Sequence, residues 1–325
     1  MHEIISKKVT CIPFVLRNWL VLFPILYCVA CEAPLNLEGV QAQADQAIQR
    51  FDHYQAASTN DTSIVVVGSA GVVVTSKDNG ENWSRQILPG HPPLIDITSC
   101  PDGSYVILDF GHHIWVSSDN AKTWNKKPID STEVPQAISC DPKNQIWVVA
   151  SFSTILSSKN MGESWKTQSL DEDLMLTSLQ FINETIAFAI GEFGTVLKSS
   201  DGGETWGYLD PLPGEFYPQA SYFKDAETGW VVGLRGKILH TKDGGNSWQF
   251  QPTNIDAPLY GIKASDSALF AVGDTGMVLE YIDGQWQRLT HDFPIRFYLR
   301  AVLPLDDNSI LLAGGAGALH KLRLN

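Results

Sequence analysis

The side chains whose types could do chemistry fall into a short repeated frame. Ser76-x-Asp78-x-Gly80-x-x-Trp83 returns around Ser117, Asp119 and Trp124, then around Ser158, Asn160 and Trp165. It returns again around Ser199, Asp201 and Trp206, and around Thr241, Asp243 and Trp248. A calcium loop needs a run of oxygen ligands at alternate positions, and one acid followed by Gly and Trp does not supply it. An Asp or Asn in a tight turn instead accepts hydrogen bonds from backbone groups two or three residues on, and Gly permits the reversed backbone. Asp78, Asp119, Asn160, Asp201 and Asp243 are therefore expected to brace turns. His112-His113 falls in a turn, and neighbours on a strand point to opposite faces, so the pair reads as solvent-exposed. Asp171-Glu172-Asp173 reads as a solvated loop. No helix opens after the Gly-rich turns, so they are not phosphate cradles. The expectation is no catalytic residue, no metal and no cofactor.

The elements that position these residues follow from their period. The box tryptophans stand 41, 41, 41 and 42 residues apart, and a shortened sixth copy, Asp283-Gly284-Gln285-Trp286, follows after 38. A second signature precedes each box: Gly68/Gly71, Gly191/Gly194, Gly233/Gly236, Gly273/Gly276 and finally Gly314/Gly317, with His112 and Ser153 in place of the second glycine in repeats 2 and 3. Each pair separates two short runs of β-branched and aromatic residues, which is the pattern of a hairpin. Every repeat then holds four strands, the content of one propeller blade. The fold expected is all-β: a seven-bladed β-propeller of four-stranded antiparallel blades over residues 51–325, with each Trp buried between blades. The seventh copy lacks its Trp-led strand. A strand from the N-terminal segment, within 35–48, is expected to close the ring, with an amphipathic helix over 40–50 as the competing reading.

The fullest repeat, Gly229-Trp-Val-Val-Gly-x-x-Gly-x-Ile-x-x-Thr-x-Asp-Gly-Gly-x-x-Trp248, carries the Asp-box of bacterial neuraminidase-type repeats. It resembles the photosystem II stability/assembly factor family, and the likeness runs through all seven repeats, most clearly in 194–248. The resemblance implies a propeller exported to a thylakoid lumen or periplasm, without catalysis. In phototrophs it implies binding of an early photosystem II reaction-centre subunit, so the partner expected is a membrane protein or membrane-complex subunit. Photosynthetic members use a basic surface patch. Arg235, in the 233–236 turn, is the best match to it, with Arg296 and Arg300 before the last blade.

Two alternatives stand beside that reading. One is a periplasmic accessory lipoprotein of a transporter or envelope complex. The other, from a different class, is a sialidase-like glycoside hydrolase. That chemistry needs an arginine triad, a Tyr nucleophile and an Arg-Ile-Pro motif near the mature N-terminus. No arginine lies between Arg50 and Arg85, and Phe293-Pro-Ile-Arg296 has the letters in another order.

Composition narrows the classes further. The chain of 325 residues has a net charge of −13, which argues against a nucleic-acid role built on neutralising phosphates. Residues 1–30 read as an export signal: Lys7, Lys8 and Arg17, then an apolar run over 19–30 too short to span a bilayer. The ending Cys28-Val29-Ala30-Cys31 is lipobox-like, which makes Cys31 the candidate lipidation site and mature N-terminus, with ordinary signal cleavage as the alternative. Residues 31–50 would then be a linker. Without residues 1–30, 20 basic and 35 acidic residues remain, a net −15. The mature protein is expected in the periplasm, membrane-associated through the lipid, and monomeric. Cys100 and Cys140 are expected as buried thiols; a disulfide is permitted there but needs Cα atoms within about 7 Å.

Counting back from the Gly turns marks where the innermost strands begin. Tyr54, Asp96, Gln136, Thr177, Gln219 and Arg300, with Gly261, are expected to form a polar ring around the channel. Tyr208, Phe216 and Tyr217 lie in a loop without core periodicity and, like residues 293–298, read as exposed interface anchors. Together with Arg235, Arg296 and Arg300 they form the expected docking face.

Overall fold

The computed structural model describes Gly39 and residues 45–324, apart from 215, 266, 267, 294 and 306. The expected export signal, Cys31 and most of the 31–50 linker lie outside the described residues. Residues 43–325 form one compact unit.

Among the described residues the strands form seven antiparallel sheets in chain order, six of four strands and one of three. Blade 1 is Tyr54–Thr59, Ile64–Gly68, Val72–Ser76 and Ser84–Ile87. Its second and third strands are buried along their whole length, whereas the fourth is half-buried or exposed. This gradient explains the apolar middle of each repeat, since strands covered on both faces read as continuous apolar runs. The first strands of successive blades neighbour one another around the axis. Blade 7 consists of Leu299–Leu305, Ser309–Gly314 and Leu319–Arg323. The strand expected to complete it lies largely outside the described residues; its described end, 45–48, is turn and bend.

The core is distributed over the seams between blades. Val65, Val67 and Val73 of blade 1 pack with Ile97, Tyr105 and Ile107 of blade 2, and the other neighbouring pairs repeat this. Each box Trp adds to the seam between its own blade and the one before: Trp83, Trp124, Trp165, Trp206 and Trp248 are half-buried there, and Trp286 is buried. The ring closes where Tyr54, Val66 and Val74 meet Leu303, Leu311 and Leu319. Beside that seam Asp52, almost fully buried, takes two hydrogen bonds from the Arg85 guanidinium (2.8 and 2.9 Å), one from Tyr54 Oη (2.9 Å) and one from the Gln49 amide (2.8 Å). Removing one partner of such a pair costs about 3–5 kcal/mol.

Cys100 and Cys140 depart from expectation. They form a disulfide, with Cα atoms 5.2 Å apart. Both stand where the first strands of blades 2 and 3 end. Equivalent positions of neighbouring repeats are far apart at the rim, but the innermost strands converge on the axis, and the cysteines belong to those strands. The bond joins the two blades across a separation of 40 residues.

Candidate docking face

The two ends of the propeller are built from different connections. At one end lie the turns between third and fourth strands, which carry the boxes. At the other lie the turns between second and third strands together with the loops that lead to the next blade.

At the box end the geometry is nearly invariant. Ser76 Oγ donates to Asp78 Oδ1 (2.8 Å) and accepts from the Gly80 amide (2.8 Å), while Asp78 Oδ1 also accepts from the Asn82 amide (2.8 Å). The same set recurs at Ser117/Asp119, Ser158/Asn160, Ser199/Asp201 and Thr241/Asp243. Hydrogen bonds from the turn hold Asp78, Asp119 and Asp201 down to about 2, and lower Asp243 as well. These carboxylates are occupied by their own turns.

The other end is variable, and its channel mouth has a definite construction. Every first strand carries a β-bulge at its second residue, and a bulge re-aims the side chain it carries. The bulged residues are Gln55, Ile95, Gln136, Thr177, Gln219, Tyr260 and Arg300, and all of them line the channel cavity of about 480 Å³. The sequence expectation therefore holds for Gln136, Thr177, Gln219 and Arg300. It fails by one residue at Tyr54, which is fully buried with its hydroxyl on Asp52, so Gln55 takes its place. Ile95 and Tyr260 stand at the level assigned to Asp96 and Gly261. Asp96 still faces the cavity one residue further on, where it accepts from the amides of Ile97 (2.8 Å) and, in blade 3, Ile138 (2.9 Å). Enclosure by the inner strands pushes its carboxyl up to about 6, against those hydrogen bonds and the charges of Lys263 and Arg300. The same enclosure lowers Lys263, although its side chain is exposed within the channel.

Around Arg300 the mouth is aromatic. Tyr298 stacks on His53 (centroids 6.3 Å), meets Tyr260 edge-on (6.4 Å), and its hydroxyl lies 3.2 Å from His53 Nδ1 and 3.4 Å from Gln55 Nε2. Phe297 is exposed beside it. Arg235 and Arg296 are exposed at the same end, on the blade 5 turn and the loop entering blade 7, while Arg300 opens the first strand of blade 7. Arg235 has φ 58°. An L-residue held in the left-handed region costs about 1–2 kcal/mol, so the turn itself gains nothing from an arginine there.

The aromatic loop after blade 4 splits. Phe216, expected as an exposed anchor, is 2% exposed and packs in the seam between blades 4 and 5 with Phe188 and Phe223. It fills the space over Gly233, which has no side chain of its own. Tyr217 is half-buried and donates to Glu192 Oε1 (2.9 Å). Tyr208 is exposed on the outer strand of blade 4, and partial burial and then the Glu172 charge raise its phenol. Sequence reasoning missed His53, Gln55, Tyr260 and Lys263. It also missed Phe110, Phe152 and Phe193, whose signal was an aromatic residue within the turn between the second and third strands, where the other repeats carry none.

The family model of the photosystem II assembly factor YCF48 matches residues 100–200 and 204–322. No curated protein matches the sequence. Among solved structures, YCF48 bound to D1 peptide superposes with a TM-score of 0.70 at 15% identity, covering 85% of this chain and 93% of that one. YCF48 from Cyanidioschyzon merolae gives 0.67 at 17% identity, over 84% and 95%. A catalytically inactive virginiamycin B lyase from Staphylococcus aureus with quinupristin gives 0.73 at 12%, over 85% and 96%. At such identities these likenesses concern the fold.

Proposed function

The chain belongs to the photosystem II assembly factor YCF48 family, and from that premise we propose that it is a non-catalytic assembly factor that holds an extended segment of a membrane-protein partner. The segment lies on the channel-mouth end, with Arg235, Arg296 and Arg300 as its charged contacts and Tyr298, Tyr260 and Phe297 as its aromatic ones. The observation that carries this reading is the basic, aromatic sector itself. In a protein of net charge −13, three exposed arginines and a cluster of tyrosines gather on one end of blades 5–7, one arginine on a backbone that disfavours it. A relative of the same fold was solved bound to D1 peptide, a peptide ligand, which agrees with a peptide-sized target. Export fits the disulfide between Cys100 and Cys140, since such bonds persist in oxidising compartments, and lipidation at Cys31 would place the propeller against the membrane that holds its partner.

The test is affinity capture by the full chain from detergent-solubilised membranes of its host, with cross-linking and mass spectrometry. The expected catch is an integral membrane protein cross-linked to blades 5–7, lost when Arg235→Glu and Arg300→Glu are combined. Capture unchanged by that charge reversal would end the proposal. Turnover of a sialoside or other glycoside by the purified protein would favour the hydrolase alternative.

A further inference from the structure

The opposite sector of the same end has the reverse chemistry. Phe110, Phe152 and Phe193, on the second-to-third-strand turns of blades 2, 3 and 4, are 53%, 52% and 79% exposed. Phe152 and Phe193 have φ of 51° and 56°, a left-handed conformation that is an outlier for a bulky side chain. Neither burial nor the turn accounts for a phenylalanine at these positions. Below Phe152 runs a groove of about 500 Å³ whose walls include Asp130, Glu133 and Asp171. Glu172 and Asp173 continue the acidic edge, and Tyr208 stands next to them. Among the described residues none of these five acids forms an ion pair.

We propose that this groove, lined by Phe152 and edged by Asp130, Glu133 and Asp171, together with exposed Phe193 on the turn of the next blade, is a second docking surface for an extended polypeptide bearing Lys or Arg between apolar side chains. Charge complementarity chooses the occupant. A carboxylate-walled groove attracts cations and repels acidic peptides and anionic membranes, while exposed aromatic rings supply the apolar anchors of an interface. The surface is independent of the arginines of blades 5–7. One partner could cross both sectors if its charge changes sign along its length.

The test uses the full chain and a labelled synthetic peptide alternating Lys, Phe and Ser, with a counterpart in which Glu replaces Lys, read by fluorescence anisotropy. The lysine peptide is expected to bind and the glutamate peptide not. Combining Asp130→Asn, Glu133→Gln and Asp171→Asn should weaken binding at least ~10-fold and flatten its salt dependence. Phe152→Gly with Phe193→Gly should weaken it by a similar factor while leaving Tm within about 2 °C, because glycine suits a left-handed turn. Arg235→Glu should have no effect on this binding, which separates it from the function proposed above. Absence of binding by the wild type, equal binding of both peptides, or indifference to the acid and Phe substitutions would overturn the proposal. So would co-sedimentation with phosphatidylglycerol vesicles that the Phe substitutions abolish, which would assign the rings to a membrane.

Discussion

The box end and the turn end of this propeller use the same repeat for opposite purposes. At the box end five copies keep one hydrogen-bond pattern, with each acid or amide spent on its own turn and each Trp on the adjoining seam. At the turn end the backbone is also repeated, left-handed at Ala70, Phe152, Phe193, Arg235, Thr275 and Ala316 alike, but the side chain at that one position ranges from Ala through Thr to Phe and Arg. Where geometry is constant and chemistry constant, the residues serve folding. Where geometry is constant and chemistry changes from blade to blade, folding does not dictate the side chain, which is what the proposed docking face requires.

The contrast can be broken by substitutions that should separate stability from capture. The largest effect is expected at the box end of the channel, from Cys140→Ser. The lost cross-link closes a 40-residue separation, worth about 4 kcal/mol in the chain-entropy account, and denaturant unfolding should show most of it with partner capture intact. Trp206→Ala comes next. Its ring is half-buried in the seam between blades 3 and 4, so the loss should fall at or below the range for buried aromatics, about 2–3 kcal/mol, again without effect on binding.

A third effect sharpens the contrast through pH. Box carboxylates held at about 2, against an ordinary 3.8, favour the folded state above about pH 4, and that contribution is lost as pH falls through 2. Asp96 in the channel runs the other way. Raised from 3.8 to about 6, it prefers to be neutral in the folded protein, so stability should fall as pH rises across that interval. Denaturation of the wild type against Asp96→Asn between pH 4 and 7 should reveal a difference growing by roughly 1–2 kcal/mol, discounted for channel water. A flat difference would mean that the channel does not shift this carboxyl. The smallest stability effect belongs to the turn end: Arg235→Gly should leave unfolding unchanged or stabilise it by up to about 1 kcal/mol, relief of the left-handed backbone being offset by glycine's entropy, yet reduce the capture proposed above.

Much of this was legible from spacing alone. Tryptophans 41 residues apart marked the blades, and paired glycines marked the turns, because both report backbone needs that recur in every repeat. The channel ring was legible at Gln136, Thr177, Gln219 and Arg300 and misplaced at Tyr54, because the bulge in each first strand shifts which residue faces the axis, and period alone does not show where that shift falls. Phe216 looked like a loop aromatic because the residue it covers, Gly233, lies in another strand. The disulfide was hidden for a related reason: a repeat fixes how far apart two cysteines are along the chain, whereas their distance in space depends on how near the axis they sit. The phenylalanines of blades 2–4 carry no signal in the sequence by themselves, since a departure from the repeat is informative only once its exposure is known.

The central claim, that the turn end docks the partner and the box end does not, is tested most directly by site-specific photocross-linking in the host. Benzoylphenylalanine would replace Phe297 or Arg235 at one end, and Asn79 or Lys159 at the other. Adducts with a membrane protein are expected from 297 and 235 and not from 79 and 159. Adducts confined to 79 and 159, or equally strong from both ends, would contradict it.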